Sequence, residues 1–97
     1  MYSIEFTQEA IEDLAYLRKF DQTRVVSELE SQLAHDAAVE SRNRKRLRPN
    51  QLSEWELRVD KYRVFYDAVL DSGIVKVVAI GEKRGNELFI RGERYEL

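Results

Sequence analysis

The chain reads as an α+β domain, with an N-terminal strand and a two-helix hairpin packed on a mostly antiparallel sheet of three to five strands. Three observations predict this. Apolar residues recur at helical spacing between residues 8 and 37, and they alternate with period two from 55 to 67. From Ile74 to Ile80 the chain is apolar on both faces apart from Lys76, as in a strand buried in mid-sheet. Ninety-seven residues suit one domain, here residues 1–97, and are too few for two ordinary ones.

Tyr2-Ser3-Ile4-Glu5-Phe6 alternates as a short half-buried strand. Thr7 is placed to cap a helix that runs from Gln8 to about Lys19, with Glu9 in its first turn and Ala10, Ile11, Leu14 and Leu17 on one face. Phe20 and Asp21 mark a break, and Asp21 can cap a second helix. That helix carries Val25, Val26, Leu29, Leu33 and Ala37 as its apolar stripe. His35 near its end reads as a surface residue or a partner of the C-terminal dipole rather than a catalyst. Residues 41–50 follow with Arg42, Arg44, Lys45, Arg46 and Arg48 and no acid, and Pro49-Asn50 supplies a turn.

The stretch from Trp55 to Asp67 then reads as strand, tight turn and strand. If Asp60 and Lys61 form a two-residue loop, Val59 pairs with Tyr62, Arg58 with Arg63, Leu57 with Val64 and Trp55 with Tyr66. One face carries Trp55, Leu57, Val59, Tyr62, Val64 and Tyr66, a core surface. The other carries Glu56, Arg58, Arg63, Phe65 and Asp67. Two arginines opposite each other repel, so the pair makes sense if an anion sits there. Alternatively Glu56 and Asp67 neutralise them and nothing binds. Asp71-Ser72-Gly73 makes the next turn, and Gly81 ends or bulges the strand that follows. Glu82 to Asn86 reads as a charged loop, Leu88-Phe89-Ile90 as a short final strand, and Arg91 to Leu97 as a polar tail.

Composition narrows the chemistry. There is no cysteine, and one histidine, so thiolate chemistry and multi-histidine metal sites are excluded. No cofactor is expected. No apolar run approaches the roughly 20 residues that span a bilayer, and the first residues lack the pattern of a secretion signal, so a cytoplasmic protein with no membrane partner is expected. The net charge is −2. With +5 on residues 41–50 the remainder sums to −7. The local block argues for an anionic partner, against the bland reading of a solvated loop.

Several segments together resemble the RelE/ParE superfamily of toxins from type II toxin-antitoxin modules, RelE-like members above all. Phe6-Thr7-Gln8-Glu9-Ala10 with Asp13-Leu14 is similar to the family's opening strand and helix. Leu47, Trp55-Glu56-Leu57-Arg58-Val59 and Tyr62-Arg63-Val64-Phe65-Tyr66 match its central hairpin, and Val77 to Arg84 is similar to the strand and basic turn that follow. The resemblance implies a microbial-ribonuclease type of fold and a protein neutralised by a cognate antitoxin, reaching operator DNA only through it. It implies inhibition of translation by ribosome-dependent mRNA cleavage, in which the 2′-hydroxyl attacks the adjacent phosphorus; the ParE-like alternative is inhibition of DNA gyrase. A further alternative is a catalytically weak member that mainly binds its antitoxin.

On this resemblance Arg63 matches the strand arginine, Arg58 approximates a basic position on the preceding strand, and Lys83 or Arg84 falls at the second key cation. Such chemistry needs cations around the phosphate as charge builds. Arg42, Arg44, Lys45, Arg46, Arg48, Lys61 and Phe89 are the candidate contacts to RNA and ribosome. Two departures stand out. Glu56 lies where RelE-type enzymes tend to have lysine, and Phe89 falls at the position of the C-terminal tyrosine. Tyr95 replaces that tyrosine only if the tail folds back. Trp55 and Tyr66 read as core, Phe89 equally as core or ligand, and Lys83 with Arg84 could simply be a charged turn.

Overall fold

In the computed structural model, which describes residues 1–97, nine elements follow one another. They are β1 (Ser3–Phe6), α1 (Gln8–Tyr16), α2 (Lys19–Asp36), β2 (Arg44–Arg46), β3 (Trp55–Val59), β4 (Tyr62–Val69), β5 (Ile74–Arg84), β6 (Glu87–Ile90) and β7 (Glu93–Tyr95). The sheet order is β2-β3-β4-β5-β6-β7, antiparallel throughout, with β1 added parallel to β5. Seven strands exceed the expected three to five. The two extra ones, β2 inside the basic block and β7 in the tail, are three residues each and lack apolar alternation.

Thr7 caps α1 as expected, its hydroxyl accepting the Ala10 N–H at 3.1 Å. The helix ends at Tyr16, earlier than expected, and α2 starts at Lys19. Asp21 is therefore not its cap. It lies in the first turn, where it accepts the Tyr62 hydroxyl at 2.7 Å and ties the helix start to β4. Burial, with this bond to a carboxylate, pushes the Tyr62 phenol up to about 12. Val25, Leu29, Leu33 and Ala37 form the buried stripe of α2. On α1 the expected Ile11 is exposed, and Asp13 turns inward instead. The cause is a gap in the sheet: β1 pairs with β5 only as far as Val77 and β6 only from Glu82, so the edge between them is open. Asp13 Oδ2 accepts the Ile80 N–H there at 3.0 Å.

The β3–β4 register matches the sequence at all four expected pairs and adds Glu56 opposite Phe65. Asp60 takes φ 54, a left-handed conformation that aspartate tolerates in such turns. The strand β5 runs on past Gly81 to Arg84, and the bulge falls at Val78 instead. Gly81 is required for another reason. A Cβ there would stand 2.8 Å from both Leu88 Cδ1 and the Phe89 carbonyl.

The helices cover one face of the sheet, here called the inner face. Trp55, Leu57, Val59, Tyr62, Val64, Tyr66, Val75, Val77 and Ile80 meet the α2 stripe and Ala10 in one buried cluster. The outer face, with no helix on it, has a small cluster of its own: Phe65, Ala79 and Leu88, bordered by Leu47, Leu52, Val78, Ile90 and Tyr95. Phe65, one of the polar-face residues of the hairpin, is thus fully buried. No helix is long and apolar enough to cross a membrane.

Candidate functional site: the outer face of the sheet

Because cross-strand partners project to the same face, the registers place each cation. Lys45 pairs with Glu56, Glu56 with Phe65, Arg58 with Arg63, Arg63 with Gly81, Lys83 with Leu88, and Leu88 with Tyr95. Lys45, Arg58, Arg63 and Lys83 therefore share the outer face with Glu56 and Tyr95. Gly81 puts no side chain of its own opposite Arg63, and Leu88 and Ile90 crowd the place where one would stand. Lys83, two residues on, is the diagonal neighbour of Arg63, about 7–8 Å away by sheet geometry.

Arg63 is the most constrained of the set. Its Nη1 donates to the carbonyls of Asp60 and Tyr62 at 3.0 and 2.9 Å, and its Nε lies 4.0 Å from Glu56 Oε2. Only 9% of the residue is exposed. Desolvation lowers its pKa, the Glu56 carboxylate pulls the other way, and Arg58 adds to the lowering. An arginine stays charged regardless. The Nη2 group donates to no protein acceptor, yet it is not sealed from solvent. The guanidinium is held from behind with one fork free. Arg58, Lys45 and Lys83 have no carboxylate within 4.0 Å, so their charges are uncompensated by direct pairs.

The remaining predicted residues lie elsewhere. Arg44 faces inward and braces α2, with Nη1 on Gln32 Oε1 at 2.6 Å and Nε on the Val39 carbonyl at 2.9 Å. Arg46, on the same inner side, sits 5.8 Å over the Trp55 ring and 3.7 Å from Glu54. Arg42 and Arg48 flank β2 as exposed, unpaired cations. Lys61 occupies the hairpin turn, 3.8 Å from Glu82. Arg84 and Phe89 pair with Glu87 and Glu82 and so project to the helix side, with the Arg84 guanidinium 4.4 Å over the Phe89 ring. Phe89 and Arg58 thus stand on opposite faces.

Tyr95 reaches the outer face because the tail does fold back, as β7. It borders a cleft of about 560 Å³ whose apolar wall is Leu52, Val78, Ala79 and Ile90. Its hydroxyl makes no hydrogen bond within the protein.

A two-helix layer on one side of an open, mostly antiparallel sheet is the fold of RelE-like type II toxins. Residues 4–87 match the family of the ParE toxin of type II toxin-antitoxin system, parDE, and the chain belongs to that family. Its fold is similar to that in the toxin-antitoxin complex RelBE2 from Mycobacterium tuberculosis, with TM-score 0.74 and 23% identity over 84% of this chain and 91% of that one. The archaeal RelE-RelB complex from Pyrococcus horikoshii OT3 gives 0.67 and 19%, covering 87% and 96%. The YoeB-YefM toxin-antitoxin complex from Staphylococcus aureus gives 0.62 and 22%, covering 87% and 98%. No curated protein matches the sequence.

Proposed function

We propose that this toxin inhibits translation by cleaving mRNA on the ribosome, with the outer face as its phosphate site, and that a cognate antitoxin neutralises it. One observation carries the reading: Arg63 is fixed by two carbonyls while its Nη2 stays free among unpaired Arg58 and Lys83. Cations positioned beforehand stabilise charge that builds on a phosphate without reorganising at the moment of reaction. The 2′-hydroxyl attacks the adjacent phosphorus, the bond to the 5′-oxygen breaks, and a 2′,3′-cyclic phosphate and a 5′-hydroxyl result. Glu56, 4.0 Å from Arg63, is the carboxylate of this face nearest that site and takes the proton from the 2′-hydroxyl. Lys83 or Tyr95 supplies one to the leaving oxygen. Arg42, Lys45 and Arg48 bind the RNA backbone around it, and no cofactor takes part.

The support lies in the chain's membership of a type II toxin family and in fold neighbours that are RelE and YoeB toxins. The decisive experiment maps mRNA ends after incubating the toxin with programmed ribosomes. New 5′-hydroxyl ends are expected, and intact message at stoichiometric toxin overturns the proposal. The family match to ParE favours a second reading, in which the same face binds a topoisomerase. Loss of gyrase supercoiling activity with message left intact would establish that reading in place of the first.

A further inference from the structure

One side chain of the tail gathers three carboxylates. Arg91 opens the β6–β7 turn and extends to α1, with Nη2 2.6 Å from Glu9, Nη1 2.9 Å from Glu12 and Nε 2.9 Å from Asp13 Oδ1. The last contact is ionic rather than a hydrogen bond, because the Nε–H is not aligned on Oδ1. Glu9 and Glu12 are exposed, and such pairs contribute little in water. Asp13 differs: its side chain is 2% exposed, and it also accepts the Ile80 N–H. Burial raises its pKa, and the Ile80 N–H and Arg91 oppose that rise. The turn fits closely as well. Arg91 and Gly92 take φ 50 and 79, a pair of left-handed residues that suits a two-residue hairpin, and a Cβ on Gly92 would stand 2.7 Å from the Tyr16 hydroxyl.

This turn has a consequence on the other face of the sheet. A three-residue strand at the sheet edge has few bonds of its own and frays unless something holds it. Its pairing with β6 sets Tyr95 on the outer face beside Leu88, with Lys83 on the far side of Leu88, and makes Tyr95 part of the wall of the cleft. We infer that Arg91, seated on Asp13, is a positioning residue: it docks the β6–β7 hairpin on α1 and thereby places Tyr95 as a contact for RNA bound to the outer face. Arg91 itself is held by the carboxylates of α1 and acts through Tyr95. The inference rests on the proposed cleavage reaction for its activity arm and on the fold alone for its exchange arm.

A double-mutant cycle with amide exchange tests it. Arg91→Ala and Tyr95→Ala should each slow cleavage of ribosome-bound message, on the order of tenfold to a hundredfold for a displaced contact. The double variant should be no slower than the slower single one, since both remove the same contact. In Arg91→Ala the amides of residues 93–95 should lose protection while those of β3 and β4 keep theirs. Asp13→Asn, which keeps an acceptor for Ile80 but no charge for Arg91, should reproduce the effect in part. Multiplying effects in the double variant, or wild-type cleavage by Arg91→Ala, would overturn the inference and leave the reaction standing. If the wild-type toxin cuts nothing, the reaction fails, and unchanged protection of residues 93–95 in Arg91→Ala would then refute the docking role by itself.

Discussion

The inner and outer faces of the sheet are made by the same strands and do different work. Inside, fourteen residues are buried together, so truncating one leaves a void that its neighbours cannot fill. Outside, three buried residues form a patch too small to hold a fold, and the room beside it is given to charge. The pleat alone separates them. In β4, Tyr62, Val64 and Tyr66 point to the helices, while Arg63 and Phe65, one step out of phase, point away. A change on one face should therefore alter stability, and a change on the other should alter function.

Variants test that division in order of size. Leu29→Ala, in the inner cluster, should cost about 2–5 kcal/mol in denaturant unfolding, with activity per folded molecule unchanged. Arg63→Gln should lower single-turnover cleavage about a hundredfold to a thousandfold, as for loss of one fixed donor at a charged transition state. Arg63→Glu is a poorer probe, since it would set a carboxylate against the two carbonyls that Arg63 now serves, beside Glu56. Tyr66→Phe leaves the buried Ala37 carbonyl without its 2.7 Å donor and should cost about 1–3 kcal/mol with no change in cleavage. Arg58→Ala should weaken RNA binding uniformly across sequences and reduce the salt slope by about 0.7, the value for one phosphate contact to a single strand. That would be seen in a salt titration of binding.

The smallest effect is one of pH, and two aspartates should show it with opposite signs. The Tyr62 hydroxyl, more than the opposing desolvation, lowers the Asp21 pKa below 3.8, and Arg18 assists. Its stabilisation is complete above that value and is lost as pH falls through the folded-state pKa. Asp13 is raised above 3.8 by burial, so its charged form opposes folding. Stability from this group falls as pH rises from 3.8 through its folded pKa. Acid titrations of stability should therefore be shallower for Asp21→Asn than for wild type and steeper for Asp13→Asn.

Most of the fold was legible, and the reasons are local. The hairpin followed from period-two alternation about a two-residue turn, and the α2 stripe from spacing four residues apart. The candidate site was legible only where register was. Arg58, Arg63 and Lys83 come together on one face, but strand β2 splits the basic block, sending Lys45 outward and Arg44 and Arg46 inward. A run of like residues carries no alternation to reveal that. Arg91 lies in a stretch that reads as a polar tail, because its partners are 79 and 82 residues away. The available signal was the Arg91-Gly92 dipeptide between Leu88-Phe89-Ile90 and Tyr95, a hairpin turn flanked by apolar residues.

The parallel pairing of β1 with β5 has a bearing on how the molecule is born. Ser3 meets Ile74 and Phe6 meets Val77, so the first strand made has no partner until most of the chain has been synthesised. Both helices emerge in the interval, with the stripe of α2 uncovered and Asp13 facing an edge that does not yet exist. A contact between residues so far apart is slow to form and leaves apolar surface exposed meanwhile. The cations of the outer face, carried by strands β2 to β5, are therefore assembled late. Synthesis itself delays the moment at which this protein can act.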